Sequence, residues 1–304
     1  MDNLQSRGHL LTEQVNPNSH NLDSLSTLEI VDLFNREDAK TIEAIANARI
    51  PLARVIELTA AAMKKGGRLF YVGAGTSGRL GVLDAAECPP TFCTAPELVQ
   101  GILAGGAAAL LKSSEALEDR PKDGQNAIAD KQITDLDVVV GITAGGTTPF
   151  VHGALQAAKA RGATTVAISC VTAEQVPIDA DIDIRLLVGA EILAGSTRLK
   201  AGTVTKMALN IISTGAMVRY GKVYGNRMID VAVTNDKLRD RALRIIGELT
   251  DLNRQQADEL LELSNKRVKL ALLMHWTGLD ATAGAELLIK HQGNLRALLQ
   301  DIRS

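Results

Sequence analysis

The sequence predicts an α/β protein built on a doubly wound, five-stranded parallel sheet, because short apolar runs alternate with helical patterns across short loops. In the 304-residue chain 46% of residues are hydrophobic but only 3% are aromatic. Such an Ala-, Leu-, Ile-, Val- and Gly-rich composition suits helices packed on a parallel sheet rather than a β-sandwich. The candidate strands are Leu69 to Val72, Leu98 to Leu103, Asp137 to Ile142, Ala163 to Ser169 and Ile182 to Val188. Parallel strands joined through helices take right-handed crossovers.

The segment His9 to Ser26 is polar and carries Asn16-Pro17-Asn18-Ser19, so it reads as an extended arm whose composition alone favours disorder. Ser26-Thr27-Leu28-Glu29 has the spacing of a capping box and opens an amphipathic helix. Helices over Glu37 to Arg49 and Pro51 to Lys65 follow, the second closed by Gly66-Gly67. After the first strand a helical pattern starts at once and meets Cys88-Pro89-Pro90, which is expected to terminate it. Further helices are expected over Ala107 to Glu118, Asp123 to Asp130 and Phe150 to Arg161, and a long one through Tyr220. Near the end of the helix expected over Ala107 to Glu118, Glu115, Glu118 and Asp119 would crowd the C-terminus and oppose its dipole. Gly221 to Val233 reads as a linker, and Asp236 to Ser304 as short amphipathic helices broken at Thr250, Thr277-Gly278 and Gly293.

The domain division expected from this pattern is an N-terminal arm with helices over 1–58, a sheet domain over 59–222, and a linker with a helical domain over 223–304. The formal charge of −2 leaves no electrostatic footprint for nucleic acid or a membrane surface. The leading residues lack an apolar signal core and no long uncharged apolar run occurs, so a soluble, cytoplasmic protein is expected. Cys88, Cys93 and Cys170 form no C-x-x-C pair, and the five histidines show no metal-ligand spacing with them. Neither a metal nor any other cofactor is expected.

The stretch that organises the rest is RLFYVGAGTSGRLGVLDAAE, Arg68 to Glu87. A strand runs into Gly73-Ala74-Gly75-Thr76-Ser77-Gly78, and a helix begins there. Unpaired helical N–H groups and the positive dipole end make such a turn a cradle for an anion. A second strand–loop–helix unit repeats the arrangement at Thr143-Ala144-Gly145-Gly146-Thr147-Thr148-Pro149. Both loops should lie at the carboxyl ends of neighbouring strands, where open α/β sheets bind ligands, and two cradles could make one site. Gly73, Gly75 and Gly78 also fit G-x-G-x-x-G. The second strand, however, ends in Ala104-Gly105-Gly106, without the acid that would hold a ribose hydroxyl. A phosphosugar fits these loops better than a dinucleotide. Ser196 and Thr197, before the long helix, read either as its N-cap or as ligand-facing hydroxyls. His152 reads as structural, and Trp276 as a core or interface anchor of the helical domain.

Taken together, Thr12-Glu13-Gln14 with Asn16-Pro17-Asn18-Ser19, Gly73 to Pro90, Gly189 to Lys206 and Gly221 to Leu238 resemble the N-acetylmuramic acid 6-phosphate etherases. These are lyases of the sugar isomerase (SIS), flavodoxin-like fold, related to the glucokinase regulatory protein. The resemblance implies cleavage of the ether between sugar C3 and D-lactate by elimination and addition of water, in amino-sugar recycling, and a homodimer. A phosphosugar-sensing regulator and a sugar-phosphate isomerase are the alternatives. Glu87 matches the family's proton donor to the departing lactate, and Glu118 aligns with its second active-site glutamate, the C2 base, with Glu115 and Asp119 as neighbours of the same chemistry. Two carboxyls suffice for this reaction if one is held protonated near neutral pH. The implied substrate contacts are Gly75, Thr76, Ser77 and Gly78 in the first loop, Thr143, Gly145, Gly146, Thr147 and Thr148 in the second, and Ser196 and Thr197. The family pattern in the second loop is Ala-Ser-Gly-Arg-Thr-Pro, whereas this chain has Ala144-Gly145-Gly146-Thr147-Thr148-Pro149. A hydroxyl and a guanidinium are thereby lost, and Arg79, Arg198 and Lys200 are the remaining cationic candidates.

Overall fold

A computed structural model describes residues 7–112, 115–231 and 233–303, with the backbone alone at Glu115 and Arg303. It divides into two compact units, one of residues up to Ala86 with Glu97–Ser213, the other of Glu87–Pro96 with Thr214–Ser304. In the first unit, five parallel strands take the order β2-β1-β3-β4-β5: β1 (Leu69–Gly73), β2 (Val99–Leu103), β3 (Val138–Ile142), β4 (Thr164–Ser169) and β5 (Ile182–Arg185). Every residue of β1 and β3 is buried, which is why both read as continuous apolar runs rather than alternating ones. The strand order reverses between β1 and β3, whose register pairs Gly73 with Ile142. The loops that follow these strands therefore leave the sheet side by side, at its switch point.

Helices α1 (Thr27–Asp38), α2 (Lys40–Asn47) and α3 (Arg49–Lys64) precede the sheet. Ser26 caps α1 in a complete capping box with Glu29, as the sequence predicts. Helix α4 (Gly75–Phe92) starts two residues after β1 and carries Pro89 and Pro90 inside it. The expected stop at Cys88 is thus corrected. Proline's fixed φ is helical, so each ring removes only an N–H that would have reached Ala85 or Ala86. The end comes at Cys93, in the left-handed region at φ 51°, whose N–H closes on the Pro89 carbonyl at 2.9 Å.

The single helix expected over Ala107 to Glu118 is also corrected. A short α5 (Ala108–Leu111) is followed by a 3₁₀ turn at Glu115–Leu117 and a turn at Glu118 and Asp119. The clash of three acids with one helix dipole does not arise. Beyond it come α6 (Pro121–Asp130), α7 (Pro149–Lys159) and the long α8 (Lys200–Tyr220).

The polar arm is not a disordered leader. Leu10, Thr12 and Asn16 are buried, and the backbone is held on both sides of Thr12. Before it, the Gln175 side chain accepts from Leu11 N–H at 3.4 Å and donates to the His9 carbonyl at 2.8 Å. After it, Asn16 Nδ2 donates to Glu37 Oε2 at 2.8 Å and to the Ala190 carbonyl at 3.0 Å. Glu37 is fully buried and also accepts from Asn18, Lys40 and Lys200. Burial opposes its ionisation, but hydrogen bonds from Lys200, Lys40, Asn18 and Asn16 outweigh that and hold its pKa far below the ordinary carboxylate value.

A carboxyl whose folded pKa is depressed stabilises the fold fully above its unfolded pKa, and that contribution fades as pH falls toward the folded value. Glu37→Gln leaves the Lys200 ammonium, itself fully buried, without its counter-charge. We expect a loss of about 3–5 kcal/mol of unfolding free energy at neutral pH, measured by urea titration. The difference between wild type and variant should shrink below about pH 4, where acid begins to protonate Glu37 in the unfolded chain.

The second unit packs five helices, α9 (Asp236–Thr250), α10 (Arg254–Leu263), α11 (Val268–Thr277), α12 (Ala281–Lys290) and α13 (Leu295–Arg303). Its core contains Ile246, Leu261, Leu273 and Leu298, with Trp276 packed against it and 5.2 Å from the Tyr224 ring. The linker holds a two-stranded ribbon, β6 (Val223–Tyr224) with β7 (Arg227–Met228). Lys269 Nζ ties it to the helices by donating to the Gly221 and Gly293 carbonyls, both at 2.9 Å, and to Asp230 at 2.6 Å.

Candidate functional site

The first loop is shaped by close approach. A Cβ at Gly78 would stand 2.5 Å from the Gly73 carbonyl oxygen and 2.5 Å from Leu103 Cδ1, so any side chain there would push α4 off the sheet. Gly75 has φ 53° with open space where its Cβ would be, so the backbone turns sharply and stays approachable. Gly78 N–H already donates to Ala74 at 3.2 Å. As the first residues of α4, Gly75, Thr76 and Ser77 bring N–H groups with no helical acceptor. All three are half-buried, which makes them an anion cradle open to solvent.

The second loop is more rigid. Thr143 is 2% exposed, and its Oγ1 lies 2.9 Å from Thr148 Oγ1 and accepts from Thr148 N–H at 3.4 Å. Gly146, at φ 75°, donates its N–H to the Thr143 carbonyl at 3.0 Å. His152 Nε2 lies 2.7 Å from the Gly146 carbonyl. A carbonyl can only accept, so this nitrogen carries the hydrogen and His152 fixes the loop from behind. Gly145, Thr147 and Thr148 are half-buried.

Glu118 belongs to this loop through its backbone. Its carbonyl accepts the Phe150 N–H at 2.9 Å, covering a donor at the start of α7. Its side chain is half-buried, whereas Asp119 is exposed, and the Glu115 side chain lies outside the described residues. Glu118 and Asp119 thus differ in exposure.

The third segment adjoins the first loop: a Cβ at Gly202, in the first turn of α8, would lie 3.6 Å from Thr76 Cγ2. Ser196 and Thr197 are half-buried and do not cap α8. That role falls to Glu191, 1% exposed, whose carboxylate accepts the Lys200 N–H at 3.0 Å and the Ala201 N–H at 2.9 Å. Burial raises the Glu191 pKa against the opposing pull of those two N–H groups and the Lys200 charge. Lys200 is consumed by Glu37, and is no phosphate ligand. Arg79 Nε donates to the Leu110 carbonyl at 3.2 Å, which leaves the exposed Arg198 as the cation nearest to Thr197 in sequence.

The N-terminal arm also reaches the second loop and the segment before α8. Thr12 Oγ1 lies 3.7 Å from where a Cβ on Gly145 would be, and Glu13 Oε2 lies 3.1 Å from the corresponding position on Gly195. The contacts of the arm with Gln175 and Ala190, and of Glu37 with Lys200, have no local sequence signal, since each spans more than a hundred residues.

Glu87 lies in the second unit, twelve residues beyond Gly75 along α4, and is exposed. It is more than three helical turns from the helix start. Among the described residues no group of three His, Cys, Asp or Glu side chains is placed to hold a metal ion, and no helix is long and apolar enough to cross a membrane.

Comparison with known proteins gives matches to the glucokinase regulatory protein N-terminal SIS domain over residues 51–159, the SIS domain over 122–213, and the C-terminal lid domain of glucokinase regulatory protein over 225–270. The chain is 74% identical to the N-acetylmuramic acid 6-phosphate etherase of Crocosphaera subtropica, covering 99% of this chain and 98% of that one. It is 72% identical to the etherase of the same name from Rippkaea orientalis, over 100% and 99% of the two chains. Among solved structures, the phosphoheptose isomerase of Francisella tularensis is similar at 15% identity and a TM-score of 0.45, covering 62% of this chain and 100% of that one.

Proposed function

The chain belongs to the N-acetylmuramic acid 6-phosphate etherase family, and from that premise we propose that it cleaves the D-lactyl ether of N-acetylmuramic acid 6-phosphate in the cytoplasm. The products are N-acetylglucosamine 6-phosphate and D-lactate. The observation that carries the reading is the full-length identity to etherases, which spans the sheet unit and the helical unit alike.

In the proposed reaction the sugar ring opens to an aldehyde, which acidifies the C2 proton. The Glu118 carboxylate takes that proton, the C3–oxygen bond breaks, and the protonated Glu87 carboxyl gives its proton to the departing lactate oxygen. A double bond forms between C2 and C3. Glu87, now ionised, takes a proton from water as the hydroxide adds at C3, and Glu118 returns its proton to C2. Both carboxyls end as they began, and no electron acceptor is needed. The phosphate sits at the half-open N-terminus of α4, held by Gly75, Thr76, Ser77 and Gly78. The sugar lies across Thr143 and Gly145 to Thr148, with Ser196 and Thr197 alongside. The substrate-binding domain is 59–222, flanked by the arm with its helices over 1–58 and by the helical domain over 223–304.

The exposure of Glu87 supports a homodimer. A carboxyl that delivers a proton near neutral pH has to be shielded from water, and Leu83, 51% exposed, stands one turn before it on α4. Leu28 and Val31, one turn apart on α1, are 70% and 58% exposed. A second copy of the chain is the partner we assign to these surfaces.

Purified protein incubated with N-acetylmuramic acid 6-phosphate should release D-lactate and N-acetylglucosamine 6-phosphate in equal amounts, followed by a coupled lactate assay. In light scattering the protein should run near twice the chain mass of 32.3 kDa. Failure to release lactate would remove the etherase reading, and a single-chain mass would remove the dimer.

A further inference from the structure

Thr12 is a buried hydroxyl that the fold does not use. The residue is 1% exposed, and its Oγ1 has no hydrogen-bond partner among the described residues. A buried hydroxyl left unpaired is costly, and such groups call for an explanation. Its place supplies one. The oxygen stands 3.7 Å from where a Cβ on Gly145 would be, and 3.9 Å separates that same point from Thr147 Oγ1. Two hydroxyls thus converge on a loop residue that has no side chain of its own. Gly145 is half-buried, so this cluster lies at the edge of the space over the second loop.

The hydroxyl is held there rather than passing by. Gln175 grips the backbone at His9 and Leu11, on one side of Thr12. Asn16 fastens the other side to Glu37 and Ala190. Glu13 Oε2, the next side chain along, reaches the loop before α8 at Gly195. The arm thereby spans the second loop and the segment that carries Ser196 and Thr197.

We infer that Thr12 is a substrate-binding residue: its Oγ1 donates a hydrogen bond to an oxygen of the sugar phosphate seated over Gly145. The arm is in that case a wall of the binding site contributed from outside the sheet. Thr12 supplies at Gly145 the hydroxyl that the glycine lacks, and it discriminates for a ligand oxygen at that point. The inference takes its ligand, a phosphorylated amino sugar, from the etherase reading above.

The test compares wild type with Thr12→Val, which keeps the shape and removes the hydroxyl, and Thr12→Ser, which keeps the hydroxyl. Each protein is titrated with N-acetylglucosamine 6-phosphate by calorimetry, assayed for lactate release, and melted with and without that ligand. A lost hydrogen bond to a charged or strongly polar oxygen predicts an affinity about ten- to a hundredfold weaker for the valine variant, with KM raised alike, and near-wild-type values for serine. Because the hydroxyl has no protein partner, the ligand-free melting temperature of the valine variant should not fall, while the ligand-induced rise should shrink. Affinity within twofold of wild type for Thr12→Val would overturn the inference. So would a ligand-free valine variant that melts well below wild type and binds normally once folded, the behaviour of a purely structural threonine. Calorimetry reads binding without turnover, so a wild type that binds the sugar phosphate but releases no lactate would sink the etherase reading and leave Thr12 to be judged by its affinities.

Discussion

We expect Glu87→Gln to abolish lactate release, lowering kcat by about a thousandfold or more, while N-acetylglucosamine 6-phosphate still binds within a few-fold of the wild-type affinity. A positioned acid or base contributes on the order of 10²–10⁴ to rate, and Glu87 is assigned both duties in turn, towards the lactate oxygen and towards the incoming water. The amide has the size and polarity of the acid but no proton to give. Binding should survive, because the substitution leaves the backbone of the cradle at Gly75 to Gly78 and the Thr143–Thr148 hydrogen bonds of the second loop unchanged. The measurements are steady-state lactate release and calorimetric affinity on the same preparation. Retention of more than a tenth of the wild-type kcat would rule out Glu87 as the acid. Loss of binding together with turnover would instead place it in the ligand cradle. A phosphosugar sensor would have no turnover to lose.

Glu118→Gln should also cost about 10²–10⁴ in kcat, with a different isotopic signature. In heavy water the Glu87 variant should still exchange the C2 proton of N-acetylmuramic acid 6-phosphate for deuterium, since its base is intact and only departure of lactate is blocked. The Glu118 variant should neither exchange that proton nor release lactate. Asp119→Asn is the control, because Asp119 is exposed, and should remain within about threefold of wild type. Exchange persisting in Glu118→Gln would move the base role elsewhere. Replacing the side chain does not disturb the backbone carbonyl that accepts Phe150 N–H, so folding of the α7 start should be preserved.

The sheet was legible because its strands are buried on both faces: Leu69 to Gly73 and Val138 to Ile142 need no partner to be recognised as apolar runs. Ser26 with Glu29 was legible for a related reason, since a capping box is complete within four residues. What failed was either a local rule overridden or a contact with no local trace. Two prolines stop a helix by rule, yet Pro89 and Pro90 fall so near the end of α4 that only two carbonyls lose their donors. The arm looks like a leader by composition, but its anchors Gln175 and Ala190 lie far along the chain. In the candidate site the loops were visible from their glycines and hydroxyls. The capping of α8 by Glu191, the capture of Lys200 by Glu37 and the approach of Thr12 to Gly145 depend on chain crossings that no spacing encodes.

The arm's anchors also have a consequence in time. Leu11 meets Gln175 across 164 positions and Asn16 meets Ala190 across 174. On the ribosome the arm is made well before Gln175 and Ala190, which receive it. At ordinary rates of synthesis, roughly 5–20 residues per second, it waits about eight to thirty-five seconds for these two partners. Its polar composition, which hides its folded role, keeps it soluble through that interval. Loop closure of this span is entropically slow to nucleate and therefore late. The arm takes its place in the sheet unit only once Gln175 and Ala190 have been made.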